Sequence, residues 1–516
     1  MFYMGQQVYN DIIIGAGSAG CVLAARLSED GRRRVALLEA GTHYQDAAAM
    51  PQDLLDGNSM SLVQHSWGLA AQLTADRRVA FPQGKVSGGG SAIGNTVAIR
   101  GMPADYDEWA ELGNPLWSWT KALPTLAAVE DDLDYGHRRF HNATGPLPIR
   151  RWREEELTAV QQAFLDGCLA NGYPYAEDHN HPGSYGVGPI PSTRRDARTR
   201  VSTAMAYLWP AQDRAGLEVF PDTCVDRIVI RDGRAVGVIV DGEEVSADRV
   251  ILAAGAVWTP TILWRSGIGP ADELRRLGID VRVDRPGVGA GLIDQPRIGV
   301  FVTPKPGRDN YGASTGQIVL RTTSSGSDAR ANDMYYAMVN RFDLAHHFPE
   351  LRKGADGSIV YGVMAVARRA HSRGSVTLQS ADPSVAPRID LGYLSDERDY
   401  PLMAEAVRQC WELATTPAVL EHGRHVVLMN EQILASEEAM RAYIASAIDT
   451  AYNPVGTARM GAADDEAAVV DQYCGVYGTE GLFVADASVM PTMVCANTLL
   501  SVLMIAERAS LLLRER

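Results

Sequence analysis

The chain has 516 residues, 46% of them hydrophobic and 22% charged, which is enough apolar material for one large core or two intertwined domains. Its formal net charge of −15 disfavours nucleic acid as a partner, because phosphates are bound by clustered Lys and Arg. Six scattered cysteines without a CxxC pair argue against a disulfide framework or a zinc site, so we predict no metal and a cytoplasmic location.

Neither a targeting segment nor a membrane span is predicted. The N-terminal "MFYMGQQVYNDIIIGAG" enters a strand without the basic region and apolar core of a secretory signal. No apolar run reaches transmembrane length. The longest, "NTLLSVLMIAERASLLL", contains Glu507 and Arg508 and is interpreted as a buried C-terminal helix. We therefore expect no membrane partner.

The first predicted unit is a strand, a glycine turn, a helix and a second strand. Ile12–Ile14 is a short β-branched run typical of a buried parallel strand, and "RVALLEAG" is the second strand, ending at Glu39. Gly15 permits a tight turn, Gly17 lets a pyrophosphate contact the backbone, and Gly20 lets the helix pack on the strand. A carboxylate at Glu39 can accept hydrogen bonds from a ribose. The unit predicts dinucleotide binding; an ordinary glycine-rich turn is the alternative.

The later elements follow in chain order. The glycine-rich residues 81–101 lack Walker spacing and predict a loop over a cofactor, with a flexible linker as the alternative. Period-two alternation with "RDG" and "VDGEE" predicts hairpins before a strand at Val250–Ala254, and a helix starts from about Thr259. Residues 300–400 predict mostly short strands, and 321–333 a mobile surface loop. Helices return at "RDYPLMAEAVRQCWELATT" and "SEEAMRAYIASAI".

Together these segments resemble the glucose–methanol–choline (GMC) oxidoreductases, flavoproteins that mostly oxidise alcohols. The resemblance covers nearly the whole chain and follows the family's order of motifs: "GAGSAGCVLAARLSE", "GGGSAIGNTVAIRGMPADYDEW", "GAVWTPTILWRSGIG", "RPGVGAGL", "SRGSVTL" and "VVDQYCGVYGTEGLFVADASVMPTMVCANT". Within the family, bacterial aryl-alcohol and hydroxymethylfurfural oxidases look most similar.

The resemblance implies an α/β fold in two parts. One is a Rossmann-like FAD-binding domain with a mostly parallel sheet, expected in residues 1–155, 215–297 and 449–516. The other is a substrate-binding or cap domain with a largely antiparallel sheet and helices, expected in residues 156–214 and 298–448.

FAD is the cofactor that the resemblance implies, and its contacts carry over position by position. The glycine turn would bind the pyrophosphate, Glu39 the adenosine ribose, and the backbone of Val225 the adenine. Asp486 would hold the ribityl chain and phosphates, with a helix N-cap as its alternative role. The implied FAD-binding residues are Gly15, Gly17, Ser18, Ala19, Gly20, Glu39, Ala40, Gly88, Gly89, Gly90, Ser91, Asn95, Val225, Ala254, Gly255, Asp486, Ala487, Asn497 and Thr498.

The sequence departs from the family at the expected catalytic positions. Members usually read "HPVGT" with the His as base, but Asn453 stands there. The second catalytic group, His or Asn, is replaced by Leu499 at the usual spacing before "MIAE". The loop usually read Ser-Ala-Ile-Asn-Gly has Gly94 and Asn95 exchanged, and "PGVGAGLIDQ" ends in Gln295 where a His is usual.

A neutral amide cannot act as a base near pH 7, where a positioned base contributes about 10²–10⁴-fold. Asn453 can still orient a carbonyl or carboxylate or hold the flavin; a merely satisfied polar residue is the alternative. The candidate catalytic residues are therefore Asn453, Leu499, and His346 and His347 in "FDLAHHFPEL" of the cap. Further candidates for the base, each also suited to an ordinary structural role, are His65, His371, His422, His425 and Tyr452.

Three functions remain open at this point. The first is FAD-dependent oxidation of an alcohol or aldehyde-type small molecule by hydride transfer to flavin N5, with an unusual base or an already acidic substrate. The second is another reaction class on the same frame: a lyase, an isomerase or a light-driven decarboxylase. The third is an FAD-binding protein without turnover. We expect a small-molecule substrate, O₂ or another electron acceptor, and a monomer or homodimer.

Overall fold

The computed structural model describes residues 8–308, 310, 312–327, 332–347 and 359–515. For His346 and His347 it describes the backbone alone, so these two candidate catalytic side chains lie outside the described part of the protein. Within that part, none of the helices combines the length and the hydropathy needed to cross a lipid bilayer.

The strands alternate along the chain with turns and helices. They are β1 Tyr9–Ile14, β2 Val35–Leu38, β3 Ala70–Thr74, β4 Arg77–Ala80, β5 Glu130–Asp132, β6 Leu147–Ile149, β7 Gly186–Pro189, β8 Leu217–Phe220, β9 Val225–Arg231, β10 Arg234–Val240, β11 Glu243–Leu252, β12 Ile268–Gly269, β13 Val283–Asp284, β14 Ala290–Leu292, β15 Pro296–Pro304, β16 Ile318–Thr322, β17 Met334–Asp343, β18 Ile359–Ala367, β19 Gly374–Thr377, β20 Arg388–Asp390, β21 Gly423–Val427, β22 Asp449–Thr450 and β23 Leu482–Val484.

The α-helices cover the faces of the sheets. They are α1 Ser18–Leu27, α2 Gln52–Leu55, α3 Gly90–Ile93, α4 Pro103–Glu111, α5 Trp119–Val129, α6 Ala159–Ala170, α7 Gly255–Arg265, α8 Ala271–Arg276, α9 Leu344–His347, α10 Asp399–Ala414, α11 Pro417–Leu420, α12 Glu431–Ala435, α13 Glu437–Ala447 and α14 Leu499–Arg514.

The first large sheet has the order β8-β2-β1-β11-β10-β9, with β23 also paired to β11. Strands β8, β2, β1, β11 and β23 run parallel, and their apolar runs are largely buried, with α1 packed against β1 and β2 and α14 packed on α1. Strands β9, β10 and the start of β11 form an antiparallel meander. Its turns place Asp232, Gly233, Asp241 and Gly242 at positive φ, as type I′ hairpins require, so both predicted hairpins are confirmed.

The second large sheet is antiparallel and has the order β21-β15-β18-β17-β16-β7, with β22 also paired to β15. Even-numbered residues of β17 pack into the core beneath α10, among them Met334, Tyr336 and Met338. Odd-numbered residues face the other way, toward a large cavity between the two sheets. A parallel-rich sheet, an antiparallel sheet and covering helices confirm the predicted α/β fold class; the domain boundaries stay a prediction.

Helix α7 begins at Gly255, earlier than the predicted start near Thr259. Pro260 therefore lies inside the helix rather than in its first turn. A proline there removes the N–H that would bond the carbonyl of Ala256. The Thr457 hydroxyl donates to that carbonyl instead, at 2.6 Å. A partner remote in the chain thus makes the internal proline tolerable.

The predicted surface loop over residues 321–333 is wrong at both ends. Arg321 belongs to β16 and is 2% exposed. Asp333 is also buried and accepts a hydrogen bond from the backbone N–H of Ser324 at 2.8 Å. Residues 328–331 lie outside the described part of the chain. The strands predicted between residues 300 and 400 are present, but β15, β17 and β18 have 9, 10 and 9 residues.

Buried His179 makes the stability of the fold depend on pH in the acidic range. The side chain is 1% exposed. Burial, assisted by the positive charge of Arg321, lowers the pKa of His179 to about 3. The unfolded chain therefore binds an extra proton below about pH 6.5, and the stability that neutral His179 contributes is lost as the pH falls from there toward 3.

We expect wild-type protein to lose about 2–3 kcal/mol more than His179→Phe in free energy of unfolding between pH 7 and pH 4.5. Urea unfolding at the two pH values measures this difference. His181→Phe is the matched control, because His181 is exposed and close in sequence. If wild type and His179→Phe lose the same free energy of unfolding on acidification, the lowered pKa of His179 would be contradicted.

Candidate functional site

A cavity of about 1000 Å³ runs from the carboxyl ends of the parallel strands to the antiparallel sheet. The segments that follow β1, β2, β11 and β23 all line it, because parallel strands end at the same edge of a sheet. Every predicted FAD-binding residue lines this cavity except Gly20 and Gly88, which lie behind its wall. Asn453 and Leu499 line the opposite end.

The glycine turn after β1 is compact and leaves room on its cavity side. A Cβ on Gly15 would lie 2.8 Å from the carbonyl oxygen of Ala253, and a Cβ on Gly20 would lie 1.8 Å from that of Gly15. A Cβ on Gly17 would meet its nearest atom only at 3.9 Å, at the start of α1. The unpaired N–H groups of the first helical turn favour an anion. This cradle fits a dinucleotide pyrophosphate.

Glu39 closes the cradle at the end of β2. Its two carboxylate oxygens accept hydrogen bonds from the backbone N–H groups of Ala16 and Gly41, each at 2.8 Å. Burial raises the pKa of Glu39, and these two N–H groups oppose the rise. The carboxylate keeps lone pairs that suit the hydroxyls of a ribose.

Asp486 lies after β23, where it is the N-cap of the short 3-10 helix Ala487–Val489 and also bonds the first N–H of α7. One carboxylate oxygen accepts from the N–H of Gly255 at 2.8 Å and the hydroxyl of Thr259 at 2.6 Å. The other accepts from the N–H and hydroxyl of Ser488. These bonds occupy the side chain, so the alternative role considered for Asp486, a helix cap, is present. Its contact with a cofactor stays a prediction, and the backbone is the part that remains available for it.

The far end of the cavity contains a cluster of amides and a guanidinium, defined by Gln295, Asn453 and Arg368. Asn453 Nδ2 donates to Gln295 Oε1 at 2.8 Å, and Arg368 Nη1 donates to the same oxygen. Gln295 Nε2 donates to the carbonyls of Val494 and Ala496, at 3.2 and 3.0 Å. Gln295 is thus fully hydrogen-bonded, and it is 0% exposed.

Arg368 determines how this amide–guanidinium cluster is oriented. A guanidinium only donates, so the Gln295 atom that faces it is the oxygen. The Asn453 atom that meets this oxygen must then be the NH₂ group, which turns Asn453 Oδ1 toward the Thr498 hydroxyl at 3.4 Å. Asn453 therefore presents an acceptor to the cavity, and nothing in the arrangement makes that acceptor basic.

The backbone around Asn453 is held by a buried carboxylate. Asp294 accepts from the N–H of Asn453 at 2.7 Å and from the hydroxyl of Tyr393 at 2.6 Å. Tyr452 adopts a φ of 59°, a conformation that β-carbon-bearing residues rarely take and that is concentrated at functional sites. The turn into Asn453 is therefore fixed from both sides.

No histidine among the described residues lines the cavity. His371 and His425 are exposed, His422 is partly exposed, and His65 lies beside Asp53 at 3.6 Å. Tyr452 does line the cavity, but burial raises its pKa to about 12. Neither Tyr452 nor a described histidine is therefore placed to act as a base in this cavity near neutral pH.

The fold and site can be compared with known proteins. Two family models, both described as GMC oxidoreductase, match residues 9–297 and residues 370–506. The chain belongs to the GMC oxidoreductase family. The family binds FAD, so the predicted cofactor and the prediction of an oxidoreductase are confirmed.

Individual GMC members align over almost the whole chain. The 5-(hydroxymethyl)furfural oxidase of a Methylovorus species is 34% identical, covering 98% of each chain. An oxygen-dependent choline dehydrogenase of Photobacterium profundum is 32% identical, covering 97% of this chain and 92% of its own. The crystal structure of pyridoxine 4-oxidase from Mesorbium loti superposes with a TM-score of 0.90 at 28% identity, covering 98% of this chain and 99% of its own.

Sequence reasoning missed Arg368 as a residue of this GMC site. It follows directly after β18, and Met364 and Val366 at the same period-two spacing also line the cavity. A charged residue in phase with an apolar strand face was the available signal. The neighbouring strand contributes Tyr335, whose ring centroid lies 4.4 Å from the Arg368 guanidinium carbon.

The described residues include one group with the geometry of a metal site, formed by Glu130, Asp132 and His141. His141 contacts both carboxylates, at 3.2 and 3.0 Å, and Asp178 at 2.9 Å. Arg151 bonds both oxygens of Asp132 at 2.7 Å. Burial opposes protonation, but the bonds to Asp132 and Asp178 raise the pKa of His141. We interpret this group as an ion network whose carboxylates already have cationic partners.

Proposed function

We propose that this GMC oxidoreductase oxidises an alcohol or aldehyde-type small molecule by hydride transfer to flavin N5, in a non-standard site containing Asn453 and Leu499. Bound FAD supplies the hydride acceptor. The proposed FAD contacts are those of the cavity residues described above. The relative named as an oxygen-dependent dehydrogenase supports O₂ as the final acceptor.

The observation that carries this proposal is the cluster of Gln295, Asn453 and Arg368 at the end of the flavin cavity. Asn453 Oδ1 can accept a hydrogen bond from a substrate hydroxyl and so orient the carbon that loses hydride. Leu499 contributes an apolar contact and no hydrogen bond. The site can therefore position a substrate, but its described side chains do not remove the hydroxyl proton.

An arrangement that positions the substrate without a base favours a reacting hydroxyl that is more acidic than that of a simple alcohol, such as the hydroxyl of an aldehyde hydrate, which passes its proton to water more readily. A simple alcohol would have to lose its proton to water. Because a positioned base contributes about 10²–10⁴-fold, simple alcohols are expected to react slowly.

A second candidate is a reaction of another class on the same frame, such as that of a lyase, an isomerase or a light-driven decarboxylase. The neutral pair Asn453 and Leu499 favours it, since these residues provide no base for an ordinary alcohol. Formation of product without net oxidation would distinguish this candidate from the first.

We expect anaerobic benzyl alcohol to reduce the flavin about 10²–10⁴-fold more slowly than in a relative with a catalytic His, and with little pH dependence between about pH 6 and pH 9. Stopped-flow absorbance of the flavin measures the rate. Benzaldehyde, tested alongside, reports on the hydrated substrate. Rapid bleaching by benzyl alcohol with an apparent pKa near 7 would contradict the proposal, and His346→Ala and His347→Ala would then identify the base.

A further inference from the structure

Arg368 is a buried cation whose hydrogen-bond partners are all neutral. It is 2% exposed. Nη1 donates to Gln295 Oε1 and to the carbonyl of Ala496, and Nη2 donates to Asn497 Oδ1 at 3.2 Å. Within the described residues, no carboxylate oxygen lies within 4.0 Å of this guanidinium. Removing a charge from water without a counter-ion is costly.

Two arginines close to Arg368 show the usual solution, which is a carboxylate partner. Arg297 also lines the cavity, and its Nη2 lies 2.6 Å from Asp449 Oδ2. Arg369, next to Arg368 in the chain, pairs with Asp105 at 2.9 Å and Glu108 at 2.7 Å. Of these three, Arg297 and Arg368 line the cavity, and within the described part of the protein Arg368 is the one of the two without a carboxylate partner.

A second buried guanidinium strengthens the local positive charge. Arg321 bonds the carbonyls of His179 and Cys495, and its charge acts with burial to lower the pKa of Arg368 to about 10. Arg368 still carries its proton at pH 7. Arg321 does not line the cavity, so Arg368 is the one of the pair that a ligand can reach.

The geometry around Arg368 suits a planar anion. The Tyr335 ring lies against the guanidinium, 4.4 Å from the ring centroid to the central carbon, and holds its plane. Nη1 uses both of its N–H groups and Nη2 uses one, so the N–H of Nε and the second N–H of Nη2 remain to donate two hydrogen bonds to a carboxylate. The adjacent wall is apolar and is formed by Ala337, Val339, Met364 and Val366.

We infer that the substrate is a carboxylic acid with an apolar body, and that Arg368 binds its carboxylate beside Asn453. This rests on the proposed function, in that the acid is the molecule whose alcohol or aldehyde carbon reacts. The carboxylate supplies the missing counter-ion, and Asn453 then receives the reacting group. Arg368 is accordingly a specificity-determining residue.

Binding can be measured apart from turnover, with ligands that are not oxidised. The probes are benzoate against benzamide and hexanoate against hexanamide, titrated into the FAD-loaded enzyme while the flavin absorption spectrum is followed. We expect at least one acid to bind about 10–100-fold more tightly than its amide, because a charge-assisted pair replaces a neutral contact.

Variants of Arg368 test whether its guanidinium causes the preference for the acid over the amide. Arg368→Met should abolish the preference for the acid. Arg368→Lys should retain a weaker preference, since it keeps the charge and loses the two-pronged contact. Arg388→Gln is the matched control: it removes an exposed arginine, paired with Asp390, from β20 and should change nothing. If Arg368→Met fails to retain FAD, the test is the comparison of Arg368→Lys with wild type.

Equal binding of acid and amide by wild type, or an unchanged preference in both Arg368 variants, would overturn the inference. So would a shift in flavin reduction potential in Arg368→Met without any acid preference in wild type, because Arg368 would then act on the cofactor. 4-Formylbenzoate separates the two proposals. If it binds through Arg368 but does not reduce the flavin anaerobically, oxidation fails and the anion site stands; if neutral aldehydes react while no acid binds preferentially, the reverse holds.

Discussion

Gly20→Ala is expected to abolish FAD retention and to lower the free energy of unfolding by about 3 kcal/mol. The new Cβ would lie 1.8 Å from the carbonyl oxygen of Gly15. The Cβ is attached directly to the backbone of α1 and the oxygen belongs to the backbone of the β1–α1 turn, so neither can move aside as a flexible side chain would. The turn must open, and the first N–H groups of α1 then lose their alignment toward the cavity.

The flavin-to-protein ratio after desalting and the thermal midpoint report this effect. Gly326→Ala is the matched control, because a Cβ there meets no atom within 4 Å among the described residues. Full FAD content together with an unchanged midpoint in Gly20→Ala would show that the turn accommodates a methyl group, and the account of the cradle would be wrong.

The double variant Asn453→His with Leu499→Asn is expected to raise the rate of flavin reduction by benzyl alcohol about 10–100-fold, below the full contribution of a positioned base. Each single change should do little, because base and hydrogen-bond partner act on one hydroxyl as a unit. The recovery is partial because Arg368 lies close by. Its charge lowers the pKa of a new histidine and weakens it as a base.

Adding Arg368→Met to the double variant removes that charge and should raise the rate further, with an apparent pKa closer to 6.5. Anaerobic stopped-flow traces across pH measure both quantities. FAD content serves as the control for an intact site. A double variant that binds FAD normally and stays inert toward a panel of alcohols, with or without Arg368→Met, would reject the altered alcohol oxidase and favour the second reaction class.

Local sequence patterns predicted the glycine turn and the elements around it. The turn at Gly15, Gly17 and Gly20, the strand that ends before Glu39, and the I′ hairpins depend on residues close together in the chain. Their conformations follow from glycine geometry and from period-two or helical patterning. The start of α7 was misplaced because Pro260 is locally a helix-start signal, and only the remote Thr457 makes it acceptable inside the helix.

At the end of the cavity that contains Asn453, the sequence predicted individual residues but not how they are arranged. The sequence identified Asn453 and Gln295 as separate departures from the family pattern. It did not reveal that they bond each other, 158 positions apart, or that Arg368, 73 positions from Gln295, shares the same oxygen. Arg321 was assigned to a surface loop, yet it is a buried neighbour of this cluster.

The sequence by itself indicated the dinucleotide turn through residue types at short, fixed spacings, and its resemblance to the GMC family implied the α/β class, FAD and the departure from the usual base at Asn453. Only the tertiary structure decided which side chains surround Asn453. Packing of the antiparallel sheet against the cavity brings Arg368, which directly follows β18, to the same Gln295 oxygen as Asn453 from the C-terminal segment. Such a contact depends on how two distant segments meet in space, and no local periodicity encodes it.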